Sequence, residues 1–223
     1  MKKFSITIAL FLSIASCTNT PELESGEIKT FQVLKDAIDQ RAKSRAIIDA
    51  RDALSRQQID KYALPVLFVE LPWGQNGTLT LYPGQGVGQT WLGADGATIT
   101  LEKGVLKASR GMGDDLMGSK SFMPEWDKFD QFSNNYEKQL KYLSGNNKII
   151  SKNFTCRIQK VSGKERLEIW DLEFILDKFE ESCTTSGISI KNIYYLDRKK
   201  IIRKSLQYHS KTIGYLIIER LDR

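Results

Sequence analysis

The sequence predicts a mainly β protein: an antiparallel sandwich or open barrel of hairpins, preceded by a short N-terminal helical segment. Three observations predict it. From Val66 onward, short segments rich in aliphatic, Thr and aromatic residues follow one another closely. Asp95-Gly96 and Lys103-Gly104 punctuate them with glycines suited to the positive φ of tight hairpin turns. The spacing leaves no room for the helical crossovers of a βαβ fold.

The chain of 223 residues opens with Lys2 and Lys3, then an apolar run from Phe4 to Ile14. A charged start and a short apolar core read as a secretory leader over residues 1–16. About eleven apolar residues rise about 16 Å as a helix, too short for a permanent membrane span. The run ends Ile14-Ala15-Ser16-Cys17, which resembles the bacterial lipobox. Cys17 is the expected lipidation site, and three acyl chains at about 0.8 kcal/mol per buried CH₂ give a stable anchor. Thr18, not Asp, follows the cysteine, which points to outer-membrane delivery. Residues 17–28 are polar and read as a lipidated tether, and 29–223 as a single domain.

Within that domain, Phe31, Leu34, Ile38, Ala42, Ala46 and Ile47 follow helical spacing, so residues 29–54 predict one or two helices. Ser55-Arg56-Gln57-Gln58 fits a capping box that opens a short helix ending before Pro65. The strand candidates are Val66–Leu71, Thr78–Tyr82, Gln89–Leu92, Thr98–Glu102 and Val105–Ser109. After a loose stretch from Met112 to Asp127, read as a long loop with a helical turn, come Phe129–Leu143, Ile149–Lys160, Glu165–Leu176, Ile188–Leu196, Ile201–Tyr208 and Thr212–Arg220. Trp170–Glu181 also reads as a possible helix.

The composition narrows the chemistry. One histidine, His209, excludes a two-histidine metal site, and no other ligand spacing is present, so no metal or cofactor is expected. Beyond Cys17, Cys156 and Cys183 remain. An even count in an oxidising compartment makes a disulfide the default over two free buried thiols. Such a bridge is worth about 3 kcal/mol in the chain-entropy model.

The formal charge is +6, and loss of Lys2 and Lys3 with the leader leaves about +4. Residues 190–223 hold nine basic and three acidic side chains, about +6, against about −2 over 17–189. Arg198-Lys199-Lys200 and Arg203-Lys204 are the densest basic feature. Behind a lipobox the partner is not nucleic acid but an anion such as an acidic polysaccharide; the plainer reading is a solvated turn between two strands.

Three other features bear on chemistry. Gly84-Gln85-Gly86-Val87-Gly88 lacks the Lys-Ser/Thr of a phosphate loop and reads as a hairpin loop. Asp114 and Asp115, with Glu125 and Asp127, form an acidic cluster on the expected loop, suited to acid/base work or simply solvated. Trp73, Trp91, Trp126 and Trp170 suit sugar stacking or core packing.

The order Gln89-Thr90-Trp91-Leu92-Gly93-Ala94-Asp95-Gly96, then Lys103-Gly104-Val105-Leu106-Lys107-Ala108-Ser109-Arg110-Gly111-Met112 and Asp114-Asp115-Leu116, resembles the YjbF family of outer-membrane lipoproteins, the group 4 capsule polysaccharide lipoproteins. Ser55 to Ala63, Ile193 to Asp197 and Lys204 to Tyr208 extend the resemblance over roughly residues 50–220. The turn Asp197-Arg198-Lys199-Lys200 has no glycine where the family pattern leads one to expect it.

The resemblance implies a mostly β lipoprotein on the periplasmic face of a Gram-negative outer membrane. It implies an accessory, non-catalytic role in capsule or exopolysaccharide production or secretion, beside an outer-membrane β-barrel or another polysaccharide-export protein. The candidate contacts with such a partner, or with anionic polysaccharide, are Trp91, Arg110, Asp114, Asp115 and Gln207. Arg198, Lys199, Lys200, Arg203 and Lys204 complete the set. The competing expectation is a lipid-anchored polysaccharide-modifying enzyme using the loop carboxylates. A third is a partner-docking module, betrayed by an exposed apolar patch or a bare sheet edge.

Overall fold

The structure, a computed structural model, describes residues 49–84, 88–121, 126 and 135–223. The leader, Cys17, the tether, most of the expected helical stretch, residues 85–87, Glu125 and Asp127 lie outside the described residues. No described helix is long and apolar enough to cross a membrane.

Two one-turn helices open the described chain. Helix α1, Ala50–Ala53, is capped by Asp49, whose side chain accepts from Arg51 N–H. Helix α2, Arg56–Ile59, carries the expected capping box between Ser55 and Gln58. Twelve strands follow: β1 Val66–Glu70, β2 Asn76–Tyr82, β3 Gln89–Gly93, β4 Thr98–Glu102, β5 Val105–Arg110, β6 Leu116–Ser121, β7 Tyr136–Leu143, β8 Ile149–Ile169, β9 Leu172–Thr185, β10 Ile188–Leu196, β11 Ile202–Ser210 and β12 Gly214–Arg220. They form one antiparallel sheet in the order β5-β4-β3-β2-β1-β12-β11-β10-β9-β8-β7-β6. Every consecutive pair but β5–β6 is therefore hydrogen-bonded, and β1 pairs in addition with β12, where Leu67 faces Arg220 and Val69 faces Ile218.

The sheet curls into a nearly closed barrel, and its two outer strands, β5 and β6, are consecutive in the chain. Side chains bridge this seam. Arg110 donates to the carbonyls of Leu116 at 3.1 Å and Met117 at 3.2 Å. Leu116 N–H donates to Ser109 Oγ at 3.0 Å. The β5 strand also leans on the inward face of β11. Leu106 N–H donates to Gln207 Oε1 at 2.8 Å, and Gln207 Nε2 donates to Gly104 C=O at 2.9 Å.

Alternation puts Leu67, Leu79, Trp91, Ile99, Leu140, Phe154, Leu216 and Ile218 in the interior core. β1 is buried on both faces. Leu67 and Val69 face that core, while Phe68 joins an outer cluster with Trp170 and Leu176. Trp170 and Asp171 make the β8–β9 turn with φ of 48° and 61°. The Trp170 ring packs edge-on against Phe68 at 5.7 Å, and the Arg51 guanidinium sits 4.1 Å above Phe68. Trp91, Trp126 and Trp170 are buried, whereas Trp73 is 54% exposed.

Three readings of the sequence change. Leu116–Ser121 is a strand, not part of a loop; its polar, Gly-containing sequence carries a weak β signal, and pairing with β7 supplies what local preference lacks. The candidate Glu165–Leu176 is two strands broken by the Trp170-Asp171 turn, and the stretch after Trp170 is strand β9 with no helix. The Phe129–Leu143 candidate is a strand from Tyr136, residues 129–134 lying outside the described set.

Gln207 is buried and answers two backbone groups at once. Gln207→Leu should strand both in the interior and cost about 2–4 kcal/mol. Urea unfolding measures it; a change below about 0.5 kcal/mol would show that β5 does not depend on this side chain.

Candidate functional site

One mouth of the barrel opens into a cavity of about 310 Å³. Leu67, Trp91, Leu101 and Ile218 form its apolar floor, and Trp126 and Ser205 line it as well. Lys103, Lys200 and Arg220 supply cations, and no acidic side chain among the described residues lines the space.

Each cation is held there by local chemistry. Lys103 and Gly104 form the two-residue β4–β5 turn with φ of 49° and 83°, the pattern of a type I′ hairpin. A Cβ on Gly104 would lie 2.8 Å from the Ile202 side chain, so close approach as well as φ requires glycine. Lys103 has no ion-pair partner among the described residues.

Lys200 sits in the β10–β11 turn with φ of 63°, adopting the left-handed conformation where the family pattern suggested glycine. Asp197 braces this turn, accepting from Lys199 N–H at 2.8 Å, Ile201 N–H at 3.0 Å and Arg203 Nε at 2.8 Å. Lys200 Nζ lies 3.7 Å from Asp177. Arg220 pairs with Asp222 at 2.7 Å, and its guanidinium lies 5.8 Å from the Trp91 ring centre. Trp91 Nε1 is buried without a hydrogen-bond partner among the described residues. Aromatic floor, cationic rim and an unspent donor suit a ring-shaped anionic ligand.

The predicted contact residues divide sharply. Trp91 and Lys200 meet in this cavity. Arg110 closes the seam, and Gln207 supports β5. Arg203 is buried, bound to Asp197 and to the Asp222 carbonyl, and Lys204 pairs with Glu219 at 2.9 Å. Arg198 and Lys199 are exposed on the turn. Lys103, Arg220, Gln89 and Ser205 line the cavity but were not singled out in the sequence. Lys103 reads as turn punctuation there, and only barrel closure carries it to β11.

A second cavity of about 400 Å³ lies between α1 and the β2–β4 region. Leu71, Leu79, Ile99 and Met112 line it, and Asp95 is its one charged group among the described residues. Neither cavity includes Asp114 or Asp115. The Asp115 carboxylate is occupied in shaping its loop, accepting from Gly111 N–H at 2.9 Å and Met112 N–H at 3.0 Å.

A Ser–His pair does form, 2.8 Å apart between Ser109 Oγ and His209 Nε2, and both residues are buried. Ser109 Oγ also lies 3.3 Å from Asp115 Oδ1. With the proton on Nε2, His209 donates to Ser109, and Ser109 donates to Asp115. That polarity is the reverse of a histidine base activating a serine. His209 Nδ1 has no partner among the described residues, so no carboxylate orients the ring.

Farther along the interior, Glu181 accepts from Lys138 at 2.8 Å, from Tyr194 at 3.0 Å, and from Tyr136 and Asn192. Burial pushes its carboxyl up, but Lys138 and these hydrogen bonds outweigh that and hold it below its usual range. Cys156 and Cys183, directly opposite on β8 and β9, are joined in a disulfide beside it. The two sulfurs and a Glu181 oxygen lie within 4.8 Å of one another, but the sulfurs are bonded to each other and the carboxylate is satisfied.

The geometry thus defines a barrel-like antiparallel β protein with a ligand-sized, cation-rimmed mouth. Its fold is shared with the crystal structure of the hypothetical lipoprotein YmcC from Escherichia coli K12, at a TM-score of 0.66 and 16% identity, covering 76% of this chain and 89% of that one. The family model described as group 4 capsule polysaccharide lipoprotein gfcB, YjbF, matches residues 31–221. The chain belongs to this family of capsule polysaccharide lipoproteins. No curated protein matches it.

Burial pushes His209 down from 6.5 to about 4, against the nearby charges of Asp114 and Asp115, which act to raise it. The unfolded chain therefore takes up a proton near pH 6.5 that the native state refuses. Stability should be full above that pH and fall by about 2 kcal/mol between pH 6.5 and 5. Denaturant midpoints across this window test it: His209→Gln should flatten the fall, and an unchanged slope would assign it to other groups.

Proposed function

We propose that the protein is an outer-membrane-anchored, periplasm-facing accessory lipoprotein of capsule or exopolysaccharide production. It acts without catalysis, holding an anionic polysaccharide at the barrel mouth beside an export partner. The observation that carries this reading is the cavity where Lys103, Lys200 and Arg220 ring the Trp91 floor with no carboxylate among its described lining, in a chain of the capsule lipoprotein family. Ile14-Ala15-Ser16-Cys17 supports the lipid anchor. The structural use of Asp115 and the absence of a carboxylate on His209 Nδ1 among the described residues speak for binding over acid/base chemistry.

Deleting the gene should lower surface polysaccharide, and the wild-type chain should restore it. The pair Lys103→Glu and Lys200→Glu should fold normally and fail to restore it. Binding of the purified variant to polygalacturonate should weaken at least about tenfold, the equivalent of 1.4 kcal/mol. Wild-type binding should weaken with added salt, because the rim is exposed to screening. Normal surface polysaccharide in a clean deletion, or full rescue by the double reversal, would refute the proposal.

A further inference from the structure

The β8 strand is longer than the neighbour on one of its sides. It pairs with β7 from Ile149 to Cys156, but with β9 only from Thr155 onward, because β9 ends at Thr185 and turns into β10. Among the described residues, 149–153 therefore have a sheet partner on one flank only. The Cys156–Cys183 pair has a Cα separation of 4.0 Å, the narrow kind that does not exchange backbone hydrogen bonds. Thr155 and Arg157 are then the residues that bond to β9. Continuing the alternation aims the N–H and C=O groups of Ile149, Ser151 and Asn153 at the vacant flank. Those of Ile150 and Lys152 point to β7.

Exposed sheet edges are ordinarily blunted by proline, a bulge or short length. This one has no proline, and its register with β7 is unbroken. It is also apolar at its start. Ile149 is 67% exposed and Ile150 46%, and Leu143, opposite Ile149, is 43% exposed. An edge with free backbone groups and exposed aliphatic side chains is what strand addition uses.

Charge selects the occupant. From Lys138 to Lys164 the chain carries seven basic side chains and no acidic one. Lys141, Lys148 and Arg157 are exposed and have no acidic partner among the described residues. A second copy of this edge would bring like charges face to face. The hairpin tip is the polar run Ser144-Gly145-Asn146-Asn147, ill suited to entering lipid.

We propose that residues 149–153 of β8 are the docking site for an acidic, extended segment of a partner polypeptide, which adds to the sheet as a further strand. The segment's backbone bonds to Ile149, Ser151 and Asn153, and its carboxylates meet Lys148 and Arg157. This surface shares no residue with the barrel-mouth cavity, so the two readings stand or fall separately.

Amide hydrogen exchange on the full chain in detergent tests it. The probe is a synthetic peptide of alternating Glu and Val, about eight residues long to span the edge at about 3.4 Å per residue. The amides of Ile149, Ser151 and Asn153 should gain protection of at least about tenfold, while those of Ile150 and Lys152 are already protected by β7. Ser151→Pro removes the central free donor without touching the β7 ladder and should abolish the gain. Lys148→Glu, which leaves the backbone unchanged, should weaken peptide binding several-fold. The proposal is overturned if the three amides are protected before peptide is added, or if the peptide leaves them unchanged. It is equally overturned by equal protection from a Lys–Val peptide, by protection from polygalacturonate in the peptide's place, or by protection that rises with protein concentration alone.

Discussion

The barrel depends on a side chain standing in for a strand. β5 ends the sheet, and its free backbone groups face the interior, where no ladder reaches them. Gln207 answers two of them, accepting from Leu106 N–H and donating to the Gly104 carbonyl. Two residues on, His209 meets Ser109, which takes the Leu116 N–H from the opposite side of the seam. The inward positions of β11 are thus polar, Ser205, Gln207 and His209, beside the apolar inward residues Leu216 and Ile218 of β12. An unmet buried backbone group costs about 1–3 kcal/mol, so polarity is the stable choice here. The same support fixes the Lys103-Gly104 turn over Ile202, and with it one cation of the mouth.

Local features of the sequence were legible because local physics decides them. The Ser55–Gln58 capping box, the Lys103-Gly104 hairpin and the alternation of β10 to β12 depend on near neighbours. What was not legible depends on closure. β6 carries no strong β pattern and exists through its pairing with β7. Gln207 reads as a surface residue in a motif until the barrel folds it against β5. Lys103 and Arg220 are far apart in the chain and share a cavity only because β1 pairs with β12.

Net charge by segment misled in both directions. The three acidic side chains of the C-terminal segment pair with Arg203, Lys204 and Arg220, and of the six cations that make its excess, Lys191, Lys200 and Arg223 reach Glu180, Asp177 and Asp60 elsewhere in the fold. The wider segment before it sums to a mild negative value, which conceals the uninterrupted basic run from Lys138 to Lys164. Electrostatics in a sheet follows faces and edges, and window sums along the chain average these away.

The placement of β1 beside β12 has a consequence for how the molecule comes into being. The pair that joins the two halves of the sheet unites the first and last of the described strands, a contact of long sequence separation. Hairpins from β2 to β11 can assemble as they emerge, but the halves stay unjoined until β12 arrives.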